Sequence, residues 1–188
     1  MTQKTTIDEQ LRNGIRFLDL RVKILFSHRG LGMYHGADAL YDPDHPHSFD
    51  QLYYKSVLGK CVEFLRQHPK EVIVVSVKCE GDTHYDGWTV EDWFRQIANE
   101  VAADNPPGTW DRWWDYRSDV NATLGDVRGK LVLWRRFPRS GKDRTLNYDE
   151  PFGLDLTPLN GAHDNTKGTR VLETTKAIRM GRSPPRAG

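Results

Sequence analysis

The chain has 188 residues, with 27 Lys and Arg, 26 Asp and Glu, and two cysteines. That length supports one domain with a substantial core and is too short for two ordinary ones, and a net charge of +1 gives no global reason to expect nucleic acid. At 37% hydrophobic and 28% charged the composition is that of a globular rather than a disordered chain, and no apolar run approaches the roughly 20 residues of a membrane-spanning helix.

Residues 1–6 lack the apolar core of a secretory signal, so the expectation is a cytoplasmic default with peripheral membrane contact only. Cys61 and Cys79 form no Cys-x-x-Cys pair and have no paired histidines nearby, which points to two free, buried thiols and neither a disulfide nor zinc.

In chain order, Thr6-Ile7-Asp8-Glu9 has the Ser/Thr-x-x-Glu spacing of a capping box, and Asn13-Gly14 supplies a left-handed stop, so a short helix is expected between them. Residues 15–22 alternate as a strand does, with Phe17, Asp19 and Arg21 on one face and Leu18, Leu20 and Val22 on the other. Residues 31–36 are a second strand candidate. Ser48 to Gln51 repeats the capping spacing, and Leu52, Leu58, Cys61, Val62 and Leu65 recur at helical intervals until His68-Pro69. Residues 72–77 are a nearly unbroken β-branched run, as in a strand buried on both faces, and residues 89–103 read as an amphipathic helix. Residues 131–134 form the next buried strand. Between these last two elements, residues 105–128 hold Trp110, Trp113 and Trp114 and read as an ordered excursion, because aromatics of that size need packing partners.

Alternating strands and helices predict a mainly parallel α/β sheet, with functional groups at the C-terminal strand ends. Beyond Pro138 the periodicity fades. Residues 160–188 carry six Lys and Arg against two Asp and Glu, a charge of 6 − 2 = +4, and read as a basic, poorly ordered tail after a domain spanning residues 6–159.

The basic residues fall where strands close. Arg21 closes the first, His35 the second, Lys78 the third, and Arg135 and Arg136 the fourth; in a parallel sheet these ends meet at one rim. Such a gathering of cations is costly without an anion, and a phosphate suits paired guanidinium contacts best. Asp19, two residues before Arg21, is placed to orient a neighbour. Taken singly, each strand-end cation ordinarily just leaves the core for solvent. The Asp42 to His47 loop has carboxylates and histidines but no fixed ligand geometry, so no metal is expected there.

Four stretches resemble the X-type catalytic domain of phosphatidylinositol-specific phospholipase C, in its bacterial and fungal form. They are residues 7–22, Tyr34-His35-Gly36, residues 71–78 and residues 124–133, in the right order and spacing, and together they cover about residues 6–137. The resemblance implies a distorted or partial (β/α) TIM barrel with mainly parallel strands. It also implies cleavage of phosphatidylinositol to diacylglycerol and a cyclic inositol phosphate by a phosphoric diester hydrolase. In that mechanism His35 matches the general acid that protonates the departing diacylglycerol oxygen, Arg21 the guanidinium that neutralises the phosphate, and Lys78 and Arg136 the contacts to the inositol headgroup. The calcium-dependent relatives carry a carboxylate where Arg21 stands, and a fixed cation repels Ca²⁺, so a reaction without metal or other cofactor is implied. The implied partners are phosphatidylinositol or an inositol phosphate and a peripheral membrane surface.

The family's first catalytic histidine, in a Pro-Gly-Thr-His-Asp type of segment ahead of the first helix, has no counterpart in these residues, and its aspartate partner is expected beyond Gly188. The expectation is therefore a domain incomplete at both ends, with enzymatic competence in doubt. The alternatives are a non-catalytic phosphoinositide- or anion-binding protein that keeps Arg21, Lys78 and Arg136, or a generic parallel α/β domain whose strand-end cations do not converge.

Overall fold

The computed structural model describes residues 5–25, 30–42, 51–101, 114–115, 122–139 and 152–159. The reading of residues 105–113, most of the Asp42 to His47 loop, and the tail 160–188 all fall outside these residues.

The chain opens with α1 (Ile7–Arg12), capped as its sequence dictates. Thr6 N–H donates to Glu9 Oε2 at 2.8 Å and Glu9 N–H to Thr6 Oγ1 at 3.2 Å. Gly14, at φ +89°, turns the chain into strand β1 (Phe17–Leu25). Strands β2 (Gly30–His35) and β3 (Asp38–Ala39) follow, then α2 (Tyr54–Gln67), β4 (Ile73–Cys79), the short strands β5 (His84–Tyr85) and β6 (Trp88–Thr89), and α3 (Val90–Val101). Strands β7 (Trp114–Asp115), β8 (Leu131–Arg136) and β9 (Leu154–Asp155) complete the set.

Seven strands form one sheet in the order β3-β2-β1-β4-β8-β7, with β9 pairing the upper half of β8 beside β7. The β1–β4, β4–β8, β7–β8 and β8–β9 pairings are parallel, as expected, whereas β2 lies antiparallel to β1 and β3 antiparallel to β2. Among the described residues the sheet is open, not a closed barrel. β1 also runs three residues past the expected end at Val22, because Lys23, Ile24 and Leu25 continue its alternation and pair with β2.

One sheet face is apolar and carries the helices. Leu18, Leu20, Val22 and Ile24 of β1, Ile73, Val75 and Val77 of β4, and Leu131 and Leu133 of β8 are buried there with Val57, Leu58, Cys61 and Leu65 of α2 and Phe94 and Ile97 of α3. Helix α2 begins at Tyr54 rather than near Ser48, and its N-cap Tyr53 makes no side-chain cap. The reason lies in Gln51 and Leu52. Gln51 bridges Tyr41, and Leu52 N–H donates to Leu40 O at 2.7 Å, so this backbone is spent on sheet-like pairing before the helix can start. Helix α3 begins as expected, with Thr89 and Asp92 exchanging bonds of 2.7 and 3.2 Å. Cys61 is free and buried, and burial, aided by the Asp8 charge, pushes its thiol up to about 12, so it is inert. Cys79 is free but only half-buried.

The turn into β9 depends on Gly153. Its φ is +75°, and an added Cβ would stand 2.7 Å from Leu133 Cγ and 2.8 Å from Leu133 O. Gly153→Ala is expected to destabilise the fold by about 2–4 kcal/mol, left-handed backbone strain of about 1–2 adding to an overpacking term. A denaturant titration checks it.

Candidate anion-binding site

The face of the sheet opposite the helices carries the candidate groups, and the register sets them in rows. Phe17, Val74 and Val132 stand abreast, then Asp19, Ser76 and Trp134, then Arg21, Lys78 and Arg136. Three cations on three adjacent parallel strands are thus level with one another. Neighbouring strands lie about 4.8 Å apart, so the row is on the scale of a phosphate with its ester oxygens.

Two carboxylates hold this row together. Asp19 Oδ1 accepts from Arg136 Nη1 at 3.1 Å, and Asp19 Oδ2 accepts from Arg21 Nε at 3.3 Å. One row further on, Glu80 Oε1 accepts from Arg21 Nη1 at 3.1 Å and from Lys78 Nζ at 2.9 Å. The result is a chain, Arg136–Asp19–Arg21–Glu80–Lys78, with a formal charge of 3 − 2 = +1. Of the strand-end cations expected to meet, Arg21, Lys78 and Arg136 converge, whereas Arg135 and His35 are not linked to them. Cation repulsion is offset internally, and the five groups sum to one positive charge. Below the row, Phe17 and Trp134 meet edge to face, with ring centroids 5.4 Å apart, as an apolar floor.

The environment tunes these groups. Burial holds the Arg136 guanidinium below its ordinary value, with Asp19 working against that fall and Arg21 adding to it. Burial alone would raise Glu80, but Lys78 and Arg21 outweigh it and bring the carboxyl below its ordinary 4.5. Because the folded value is lower than the unfolded one, the stability Glu80 contributes is present above pH 4.5 and is lost as pH falls through the folded value. The unfolding midpoint should decline below about pH 4.5, and Glu80→Gln should remove part of that decline, the rest belonging to carboxylates such as Glu71 and Asp155 that are lowered in the same direction.

Arg135 and Arg136, read together in the sequence, separate onto opposite faces. Arg135 is buried on the helix side, donating from Nη1 to Phe137 O at 2.6 Å and from Nε to Phe152 O at 3.2 Å, and pairing with Asp155 at 2.8 Å. It is a fastener for the turn into β9, and Asp155, which also accepts from Thr157 N–H at 2.9 Å, belongs with it rather than with the clamp.

The strand-end argument fails for His35. Since β2 is antiparallel, its C-terminal end points away from the rim where β4 and β8 end. The β1–β2 ladder ends at Val22↔Met33, two residues short of His35, which pairs instead with Asp38 of β3. The His35 side chain is exposed and makes no hydrogen bond or ion pair among the described residues. Tyr34 beside it lies under Lys23, whose ammonium is 4.6 Å from the ring centroid. Glu80 is the group that sequence reasoning missed, although a signal existed: Asp19/Arg21 and Lys78/Glu80 are both opposite charges two residues apart, and a strand puts such pairs on one face. No cluster of three or more His, Cys, Asp or Glu able to hold a metal occurs among the described residues.

No family model matches the chain. A 1-phosphatidylinositol phosphodiesterase of Staphylococcus aureus (strain Newman) is 25% identical over 178 residues, which cover 90% of this chain and 47% of the relative. Its counterpart in Listeria monocytogenes is 28% identical over 181 residues, covering 94% and 49%. Among solved structures, a phosphatidylinositol-specific phospholipase C of S. aureus superposes with a TM-score of 0.54 at 26% identity, over 72% of this chain and 39% of that one. The L. monocytogenes phosphatidylinositol-specific phospholipase C gives 0.54 at 22% identity, over 99% and 61%, and bears on fold alone. The chain spans about half the length of the curated relatives it matches. In sequence and in fold, this chain is similar to the bacterial phosphatidylinositol-specific phospholipases C.

Proposed function

We propose that the row Arg21, Lys78 and Arg136 binds the phosphodiester of phosphatidylinositol and that the chain serves a phosphoric diester hydrolase of the phosphatidylinositol-specific phospholipase C type. The observation that carries this reading is the level row of three cations, pinned by Asp19 and Glu80 and left with a charge of +1. Arg21, held from both sides, stabilises charge developing on the phosphorane oxygens without reorganising, while Lys78 and Arg136 hold the headgroup. In the reaction the inositol 2-hydroxyl attacks phosphorus and the bond to the diacylglycerol oxygen breaks. The hydroxyl proton goes to a base, and His35, as acid, protonates the leaving oxygen. Asp19 acts through Arg21 and Arg136 as a positioning residue.

No described histidine is hydrogen-bonded into the row, which favours a second reading, binding of the headgroup with little turnover. His35 is unattached, His68 packs on Phe64, and His84 Nδ1 lies 2.9 Å from Thr83 Oγ1. A row that lacks a base should cleave about 10²–10⁴-fold more slowly than a site with both acid and base. The experiment is release of water-soluble inositol phosphate from labelled phosphatidylinositol vesicles, run with and without EDTA. The expected result is slow release unaffected by EDTA, because the resemblance puts Arg21 where the calcium-dependent relatives carry a carboxylate. Release that needs Ca²⁺ contradicts the proposal. Binding of inositol phosphate that is lost in Arg21→Ala, with no release at all, selects the second reading.

A further inference from the structure

The sequence offers Ser48 to Gln51 as a cap for α2, yet the helix starts at Tyr54, and its N-cap, Tyr53, supplies no side-chain bond. Ser56 and Val57 N–H both donate to Tyr53 O, at 3.1 and 3.3 Å, whereas Lys55 N–H has no hydrogen-bond partner among the described residues. This uncapped, positive end of α2 opens onto a cavity of about 300 Å³ on the helix side of the sheet, lined by Lys55 and Ser56 of α2, Leu31 of β2, and Trp93, Gln96 and Glu100 of α3. Trp93 is only 6% exposed, and its indole N–H is buried with no hydrogen-bond partner among the described residues. An indole nitrogen can only donate, so its burial without an acceptor is costly; the ring itself is held by its stack on Trp88, with centroids 4.6 Å apart. A water takes up roughly 30 Å³, so the cavity has room for a larger occupant.

We propose that this cavity binds a phosphate group, as the free ion or a small phosphate monoester, between the N-terminus of α2, the Trp93 indole N–H and the Lys55 ammonium. Three donors from two helices line one cavity, and none of them can accept, which calls for a ligand rich in acceptors. A tetrahedral oxyanion presents an oxygen to each, and its charge suits both the ammonium and the helix end. In the structure Lys55 Nζ donates to Glu100 Oε2 at 2.6 Å, while Gln96 Nε2 donates to Glu100 Oε1 at 2.9 Å. The Lys55 and Glu100 side chains are 55% and 39% exposed, so the pair stands where the cavity meets solvent. An arriving anion competes there with Glu100 for the ammonium, and Gln96 keeps the carboxylate in place. The cation row lies on the other face of the sheet, so the two sites are separate, and phosphate binding in the cavity does not depend on what the row binds.

The test follows the indole N–H resonances of the full chain by NMR, with that of Trp93 assigned by its loss in Trp93→Phe, during titration with inorganic phosphate and, separately, with glycerol 3-phosphate. The Trp93 N–H should move downfield and saturate, and potassium chloride at equal ionic strength should leave it in place. Lys55→Met should weaken the binding about tenfold, and Glu100→Gln should tighten it about threefold by removing the competitor. Both side chains face solvent, so the fold should be kept in each variant. Arg21→Ala should leave the response unchanged, which separates the cavity from the row. Saturation by both anions assigns a phosphate monoester, saturation by inorganic phosphate alone assigns the free ion, and either supports the proposal. No saturable movement, movement that Lys55→Met does not weaken, or movement lost in Arg21→Ala overturns it.

Discussion

Phe94→Ala is expected to lower the unfolding free energy by about 3–5 kcal/mol, a large fraction of the roughly 5–15 kcal/mol that stabilises a domain. Phe94 is fully buried, and its ring centroid lies 5.6 Å from Tyr54, 4.9 Å from Trp114, 5.6 Å from Phe152 and 6.2 Å from Phe137. Those four rings come from α2, β7 and the segments on either side of the turn into β9. Removing Phe94 leaves a cavity whose walls belong to separate elements, and Arg135, anchored on Phe137 O and Phe152 O, loses its fixed partners as they relax. The transition should shift to lower denaturant with its slope nearly unchanged. A loss under about 1 kcal/mol would show that these aromatics are not a packed unit.

Arg21→Ala should cost about 10²–10³-fold in whatever phosphodiester cleavage the chain supports, and should abolish saturable binding of inositol phosphate. Two effects add. The guanidinium proposed to face the anion is lost, and the row changes from 3 − 2 = +1 to 2 − 2 = 0, with Asp19 left to Arg136 and Glu80 left to Lys78. Arg21→Lys should restore little, because a single ammonium cannot bond Asp19 and Glu80 at once and still present a planar fork to phosphate. Since the Arg21 side chain is partly exposed, the fold should survive; an unchanged thermal midpoint with lost binding separates function from stability.

Much of the fold was readable because local chemistry and burial agree. The capping box at Thr6, the β-branched run of β4, the apolar stripe of α3 and the buried run of β8 all appear where the sequence places them. Strand direction was not readable. The alternation of residues 31–36 is the same whichever way a strand runs, and only the short link between β1 and β2 makes them an antiparallel pair. The Ser48 to Gln51 capping spacing pointed to a helix start, but Gln51 and Leu52 find strand-like partners at residues 40 and 41, a tertiary outcome that no local spacing encodes. Asp86-Gly87 between Tyr85 and Trp88 was a legible hairpin signal that the helix periodicity around it obscured.

The candidate site divides the same way. Asp19, Arg21, Lys78 and Arg136 could be nominated from strand ends, yet their common row is a property of register, and register is set by the whole hydrophobic face. A shift of one residue would have brought Arg135 to that row in place of Arg136. Glu80 was overlooked because it follows the strand, although period-two spacing from Lys78 keeps it on the same side.

That difference between adjacent arginines gives the most direct test. Side-chain guanidinium resonances of the full chain can be followed by NMR while myo-inositol 1-phosphate is titrated in the presence of EDTA. The account predicts saturable shifts at Arg21 and Arg136 and none at Arg135, which is occupied by Asp155, Phe137 O and Phe152 O on the opposite face. No saturable response, or a response at Arg135 equal to that at Arg136, would contradict it.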